Sequence, residues 1–355
     1  MLQLRSSQRD LRFNFPARTS RGALTEHTAH YLYLSDDQQP ERVGWGEAAP
    51  LAGLSPDHRP DFAATLAGFV REFNHRQLQN LQPGQALELV GPEWPALRFA
   101  LETAILDWQH GGRRQLYTNA FSHGEAGIPI NGLVWMGEAA FMREQIEKKL
   151  TEGYTCLKLK IGGLDFATEL AILAEIRAVA GPETLTLRVD ANGAFRPEEA
   201  LAKLEQLARF QLHSIEQPIR AGQWAALAEV CRQSPVPVAL DEELIGLTEP
   251  ARQQELLERT QPAYLILKPT LLGGLGASQH WMQLAEAAGI GWWLTSALES
   301  NVGLNAISQL AAQCAPPDFP QGLGTGQLYH NNVASPLHIQ AGQLFYAAPG
   351  YWEQP

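Results

Sequence analysis

The chain predicts an α/β protein: a closed (β/α)7β-type barrel preceded by an N-terminal α+β capping domain. Three observations carry that prediction. Strand-like runs alternate with helical patterns from residue 128 onward, which means parallel strands joined by crossovers. Seven such units, with an eighth strand expected near "QGLGTG" (321–326), are enough to close a ring. Residues 1–120 lack this beat and place strands before helices, as an α+β unit does. An open doubly wound sheet is the other arrangement with this alternation. It would carry a Gly-rich turn after its first strand, and "GLVWMGEA" is not one.

In chain order, the expected capping domain covers 1–120, with a return of the tail 327–355 that includes "SPLHIQAGQLFYAAPG". Its strand-like runs are "YLYLSD" and "RVGWGEAAP", followed by a helical stretch at "PALRFALETAILDWQ" (95–109); "NFPARTSRGAL" (14–24) reads as a loop. The barrel, 121–326, takes its strands from "IPINGLVWM" (128–136), "YTCLKLKI" (154–161), "TLTLRVD" (184–190), "LHSIEQ" (212–217), "VPVALD" (236–241), "AYLILKP" (263–269) and "GWWLTSA" (291–297). Their starts lie roughly 22 to 30 residues apart, the length of a strand, its turns and a crossover helix. Helical patterns fill the gaps at 138–153, 166–181, 197–210 and 276–289, the last ending on Gly289 as a helix C-terminus often does. The stretch 166–181 is an amphipathic outer helix, and the aromatics of "GWW" (291–293) are expected to pack in the core.

Composition excludes several classes. With 355 residues, 45% hydrophobic and 18% charged, the chain can bury a large core. A net charge of −11 argues against nucleic acid and anionic membrane as partners, but a locally positive pocket still admits a small anionic substrate. Cys156, Cys231 and Cys314 have no metal or redox spacing, which fits a reducing cytoplasm. There is no run of signal-peptide type and no 18-residue apolar stretch to span a membrane. A homo-oligomer is compatible with all of this.

The chemistry lies at the strand ends, where such barrels act. In "TCLKLKIGG" (155–163), Leu157, Leu159 and Ile161 alternate with Lys158 and Lys160. The two lysines therefore share one face, about 7 Å apart along a strand. The third strand ends at Asp190, the fourth at Glu216, the fifth at Asp241 and the sixth at Lys268. The seventh ends at Ser296, with Glu299 and Asn301 close behind. For one such residue a solvated turn or cap is the ordinary reading; in successive strands they point into a common mouth. Three carboxylates on neighbouring strands make an oxygen-only site suited to a hard divalent cation. No histidine or cysteine ends these strands, which disfavours zinc. Lysines, cation and acids together sum to about +2, or about +1 with one lysine neutral as a base must be. Such a pocket favours an anionic substrate and an enediolate formed by removing a proton next to a carboxylate. Burial, neighbouring lysine charge and the cation all lower the base's pKa.

This order of Lys-x-Lys, Asp, Glu, Asp and Lys at the ends of strands two to six resembles the enolase superfamily, specifically its muconate-lactonizing subgroup, for which a lysine base with Mg2+ is a known pairing. The finer text that carries the resemblance is "PINGLVWMG" (129–137), "LRVDANGAF" (187–195), "LILKPTLLGG" (265–274), "SALESNVGLNAI" (296–307) and "QGLGTGQLY" (321–329). It spans nearly the whole chain and is weakest in 55–95. The resemblance implies a TIM barrel with magnesium, or manganese in its place, at Asp190, Glu216 and Asp241. It implies Lys160 as the acid/base, Lys268 facing it, and Lys158 as the supporting cation that lowers the pKa of Lys160. Arg188 and Asn192 match positions around the metal and the lysines. The implied reaction is loss of water from 2-succinyl-6-hydroxy-2,4-cyclohexadiene-1-carboxylate on the menaquinone route.

Lys160 and Lys268 stand four strands apart in a ring of eight and so face each other across the mouth. Opposed bases also suit the related racemases and epimerases, which share these lysines and acids. The text around the seventh and eighth strands favours dehydration. A silent binding barrel is disfavoured, since all three acids and all three lysines are present. Among the remaining residues, Glu242 is expected to orient Lys268 and Glu243 to be solvated. Arg21, beside Arg18 and Ser20 on the first-domain loop, is either a solvated loop residue or a lid arginine for a substrate carboxylate.

Overall fold

The computed structural model describes residues 1–19 and 22–355. Strands β1 (Leu2–Thr19), β2 (Gly22–Asp36) and β3 (Gln39–Ala48) form an antiparallel sheet in that order. Of the segment expected as a loop at 14–24, residues 14–19 and 22–24 are instead the far end of the β1–β2 hairpin, with Ala17 opposite Leu24 and Thr19 opposite Gly22. Its polar composition hides the strands, because pairing across a hairpin needs no apolar run. Helices α1 (Phe62–His75), α2 (Ala86–Leu89) and α3 (Pro95–Gln109) follow, α3 matching the expected span. Helix α3 lies directly on β3. A Cβ at Gly46 would meet the Ala100 carbonyl oxygen at 1.8 Å and one at Gly44 the Ala104 oxygen at 2.1 Å. Only glycine allows that approach.

The barrel strands are β5 (Gly132–Val134), β6 (Cys156–Lys160), β7 (Thr186–Asp190), β8 (Ser214–Glu216), β9 (Val238–Leu240), β10 (Tyr264–Leu267) and β11 (Gly291–Leu294), preceded by the short β4 (Ile128–Pro129). They form one sheet, ordered β11-β10-β9-β8-β7-β6-β5, with every pairing parallel. The ring closes through the expected eighth segment: Gln321 bridges Ile130 and Gly322 bridges Thr295, both in parallel. Outer helices α4 (Ala139–Thr151), α5 (Phe166–Val179), α6 (Pro197–Ala208), α7 (Trp224–Gln233), α8 (Pro250–Thr260), α9 (Pro269–Leu272), α10 (Leu275–Ala287) and α11 (Asn301–Cys314) surround it. Gly289, just past α10, adopts φ +69°, the left-handed value expected of a residue ending a helix. Every residue of β6 is buried, so the face carrying Lys158 and Lys160 looks into the barrel. The tail adds β12 (Leu337–Gln340) and β13 (Gln343–Tyr346), which pairs with β4. Beyond them it returns to β1 and β2, where Arg9 pairs with Glu353 at 2.6 Å and the Tyr33 hydroxyl donates to the Pro355 carbonyl at 2.7 Å. No helix among the described residues is long and apolar enough to cross a membrane.

A buried carboxylate joins α3 to the barrel. Glu102 accepts the N–H groups of Leu275 at 2.6 Å and Gly276 at 2.9 Å, two of the donors that the first turn of α10 leaves unpaired. Burial pushes its carboxyl up to about 7 despite those two bonds. The folded state therefore holds a proton on Glu102 over a range in which the unfolded chain, titrating near 4.5, has lost it. Its contribution to stability is greatest at the acid end and declines as pH rises from 4.5 to about 7. Glu102→Gln is expected to remove a decline on the order of 2–3 kcal/mol between pH 5 and pH 8. Urea midpoints at both pH values check this, and an unchanged decline in the variant would assign it to other groups.

Candidate active site

Strand register places the charged residues side by side. Lys160 lies opposite Asp190 in the β6–β7 pair, and Asp190 opposite Glu216 in the β7–β8 pair. Asp241 directly follows β9 and Lys268 directly follows β10. All six residues expected at the strand ends are buried, and Lys158, Lys160 and Lys268 line one pocket at the barrel mouth. Lys160 Nζ donates to Asp190 Oδ2 at 2.6 Å and to Asn192 Oδ1 at 3.0 Å. Lys158 Nζ sits between two acids, 2.9 Å from Asp190 Oδ2 and 2.6 Å from Glu216 Oε2. Lys268 pairs with Asp241 and lies 4.0 Å from Glu216 Oε1.

These contacts separate the three lysines. Burial and the adjacent Lys158 ammonium together outweigh the attraction of Asp190 and hold Lys160 below the ordinary lysine range. Lys158 and Lys268 are equally buried, but their paired carboxylates outweigh burial and hold both above that range. Burial opposes ionisation of Asp190, yet the lysines keep it well below the carboxylate range. Burial, with Asp190 and Asp241 beside it, pushes Glu216 up to about 8. Lys160 is thus the ammonium that gives up its proton most readily.

The donor set suits a divalent cation. Asp241 Oδ1 and Glu216 Oε1 are buried and accept no hydrogen bond among the described residues; a hard cation binds such oxygens. In this arrangement, however, no three His, Cys, Asp or Glu side chains among the described residues gather closely enough to hold a metal. The ammonium groups of Lys158, Lys160 and Lys268 lie on the carboxylates that would converge. A cation at this site requires those ammoniums to turn aside, a rotamer change within long flexible side chains.

The other expected residues divide. Asn192, held at φ +45°, links Lys160 to Glu242 Oε1 at 3.0 Å, so Glu242 reaches Lys160 through Asn192. Ser296 lines the pocket. Arg188 lies beneath it. Its guanidinium stacks 4.1 Å over Trp293 and 4.9 Å over Phe319 and donates to the Pro320 carbonyl at 2.8 Å. This packing makes Trp293 a core residue, as expected of "GWW". Asn301 ties the start of α11 to the tail, donating to the Val333 carbonyl at 2.8 Å. Glu243 is not solvated. A 3₁₀ turn over Glu242–Leu244 folds it inward, where it accepts from Gly222 N–H at 2.8 Å and Gln217 Nε2 at 3.2 Å. Arg21 lies outside the described residues. Sequence reasoning missed the apolar walls: Leu51 and Leu54 from the capping domain, Leu133 in β5 and Trp135 just after it, and Leu298. The pair of leucines in "APLAGLS", in a loop that would otherwise expose them, was the available signal.

Comparison with known proteins shows the family. Residues 141–351 match the family described as Enolase C-terminal domain-like. The chain is 46% identical to an o-succinylbenzoate synthase of Desulfotalea psychrophila, covering 97% of this chain and 98% of that one. The crystal structure of MenC from the same organism superposes with a TM-score of 0.85 at 43% identity, over 97% of this chain and 99% of that one. A dipeptide epimerase from Enterococcus faecalis, complexed with Mg and the dipeptide L-Leu-L-Tyr, superposes with a TM-score of 0.81 over 97% and 96% of the two chains. At 20% identity that likeness shows the fold alone.

Proposed function

Because the chain belongs to the Enolase C-terminal domain-like family, we propose that it performs the o-succinylbenzoate synthase reaction in menaquinone biosynthesis. Water is lost from 2-succinyl-6-hydroxy-2,4-cyclohexadiene-1-carboxylate to leave o-succinylbenzoate. The observation that carries this reading is the pocket itself: three lysine side chains under apolar walls of Leu51, Leu54, Leu133, Trp135 and Leu298. Cationic groups at the floor suit a substrate carboxylate, and the walls suit a hydrocarbon ring. We take residues 1–120 with 327–355 as the cap and 121–326 as the barrel, so that the cap supplies Leu51 and Leu54 and the barrel the charges.

Lys160, neutral, takes the proton from the ring carbon that bears the carboxylate. The C–H electrons pass through the carboxylate and return to form the new ring double bond as the C6–O bond breaks. Lys160, now an ammonium, gives its proton to the departing hydroxyl, so that one water leaves and Lys160 ends as it began. Lys158 keeps Lys160 easily deprotonated. Lys268, kept cationic by the carboxylates around it, faces the charge that builds on the substrate. A divalent cation, Mg2+ or Mn2+ in its place, would be held by Asp190, Glu216 and Asp241 and would supply Lewis-acid charge to the substrate carboxylate. We place the reaction in the cytoplasm, where the unpaired cysteines stay reduced.

Opposed lysines leave racemisation of N-succinyl amino acids as the second reading. Both substrates are supplied separately in deuterated water. Ultraviolet loss of the diene, with at most weak α-proton exchange by NMR in the amino acid, is the expected result. Fast exchange and racemisation with an unchanged diene would make the protein a racemase.

A further inference from the structure

Strands β10 and β11 run in register, Leu267 beside Leu294, and end in Lys268 and the 295–298 segment that walls the pocket. A single buried carboxylate joins the two ends. Glu299 is 0% exposed. Its Oε1 accepts the hydroxyl of Thr270, two residues past Lys268. Its Oε2 accepts the Ser296 hydroxyl at 2.5 Å and the Ala297 N–H at 2.8 Å. Ser296 Oγ in turn accepts the Leu298 N–H at 2.9 Å. Leu298 is held at φ +69°, a left-handed value that a leucine keeps only where its surroundings enforce it. Part of that enforcement comes from Tyr329, whose hydroxyl donates to the Leu298 carbonyl at 2.6 Å.

The backbone that carries Glu299 is fixed from the other domain. Glu47, at the end of β3, accepts Ser300 N–H at 2.6 Å, Ser300 Oγ at 2.5 Å and Gly303 N–H at 2.7 Å. A Cβ at Gly303 would lie 2.7 Å from Glu299 Cβ and 3.2 Å from Glu47 Oε2, so the two glutamates meet across that glycine. No ion pair balances Glu299 among the described residues, and a buried carboxylate without a cation is costly even when hydrogen-bonded. Its three donors lie in the two segments that follow β10 and β11, Thr270 in the first turn of α9 and Ser296 and Ala297 after β11, and each segment presents pocket residues. Glu299 itself does not line the pocket.

We propose that Glu299 is a positioning residue: it brackets the ends of β10 and β11 and so sets where Lys268 stands relative to the Ser296–Leu298 wall. The inference rests on Lys268 acting in this pocket, as read above. Displacement of a reacting group by about 1 Å costs as much as 100-fold, so slack in the bracket reads out as rate.

Steady-state kinetics with the cyclohexadiene, beside thermal midpoints, test it. Thr270→Val cuts only the arm to β10 and is expected to lower kcat about 10-fold with little change in KM. Glu299→Ala frees both strand ends and is expected to lower kcat further and raise KM. Glu299→Gln should recover most of the activity, because its amide oxygen still accepts the Ala297 N–H and the hydroxyls turn to suit. In a Lys268→Ala background Thr270→Val should cost nothing more, since the two act through one side chain. If Glu299→Ala does not fold, Thr270→Val and its combination with Lys268→Ala decide the matter. A folded Thr270→Val enzyme with parental kcat, or an undiminished loss in the Lys268→Ala background, would overturn the bracket. Lys268→Ala with parental turnover would instead overturn the role read for Lys268 and leave the bracket without its purpose.

Discussion

Lys160→Ala is expected to lower turnover by roughly 10²–10⁴-fold, the usual contribution of a positioned base, with its thermal midpoint near the parent's. The amine that must accept a proton has to be neutral first, and of the three pocket lysines Lys160 alone is held below its ordinary range. Activity should therefore rise with pH along the limb governed by Lys160. Lys158→Ala takes away a neighbouring cation that helps to depress Lys160. The base then keeps its proton to higher pH, and the limb moves upward. The loss is largest at low pH and recovers toward alkaline pH, where both enzymes hold a neutral Lys160. Profiles of kcat/KM against pH for the parent and both variants measure this. Near-normal turnover in Lys160→Ala would put the base elsewhere. A limb that stays put in Lys158→Ala would mean that Lys158 acts by neutralising Asp190 and Glu216, its partners at 2.9 and 2.6 Å.

The cluster of charges at the barrel mouth was readable in the sequence because a closed parallel barrel leaves little choice. Charges on the inner face of successive strands are costly unless they meet one another, so Lys158, Lys160, Asp190, Glu216, Asp241 and Lys268 pointed to a common cluster, and the structure brings them together. Of the long β1–β2 hairpin only "YLYLSD", the end of β2, was read as a strand. "RSSQRD" shows no apolar face, and its strand character comes from pairing with residues further along the chain. Glu47 and Glu299 were invisible as partners for the same reason: Glu47 meets Ser300 across 253 residues of sequence. Arg188 was named only through the family resemblance, as a position around the metal and the lysines. Its place two residues before Asp190 puts it on the same inward face, but one layer deeper, among Trp293 and Phe319. Glu243 was misjudged because a 3₁₀ turn after β9 reverses the direction that continued strand geometry would give.

Removal of divalent cations is expected to abolish turnover, Mg2+ to restore it, and the protein to remain folded throughout. Buried acids without cations would force a metal-free fold apart, but here lysines neutralise Asp190 and Asp241, and Glu216 holds a proton below about pH 8. Lys158 lies between Asp190 and Glu216, and Lys268 lies on Asp241. Breaking up such a trio costs more than replacing one kind of counter-charge by another. Added Mg2+ should raise the midpoint of unfolding as a ligand of the native state does, by about 2.7 kcal/mol at a hundredfold excess over Kd. Glu216 gives this binding a signature of its own. Burial and its acidic neighbours push it up to about 8, so below that pH a cation has to displace a proton from it. Affinity should strengthen as pH rises toward 8, and calorimetry in buffers of different ionisation enthalpy should find proton release at pH 7. Glu216→Gln is expected to lose both the midpoint rise and the proton release while still folding, since Lys158 keeps Asp190 as a partner. Undiminished Mg2+ binding by Glu216→Gln, or full turnover in chelator with no bound metal, would take the metal away from these three carboxylates.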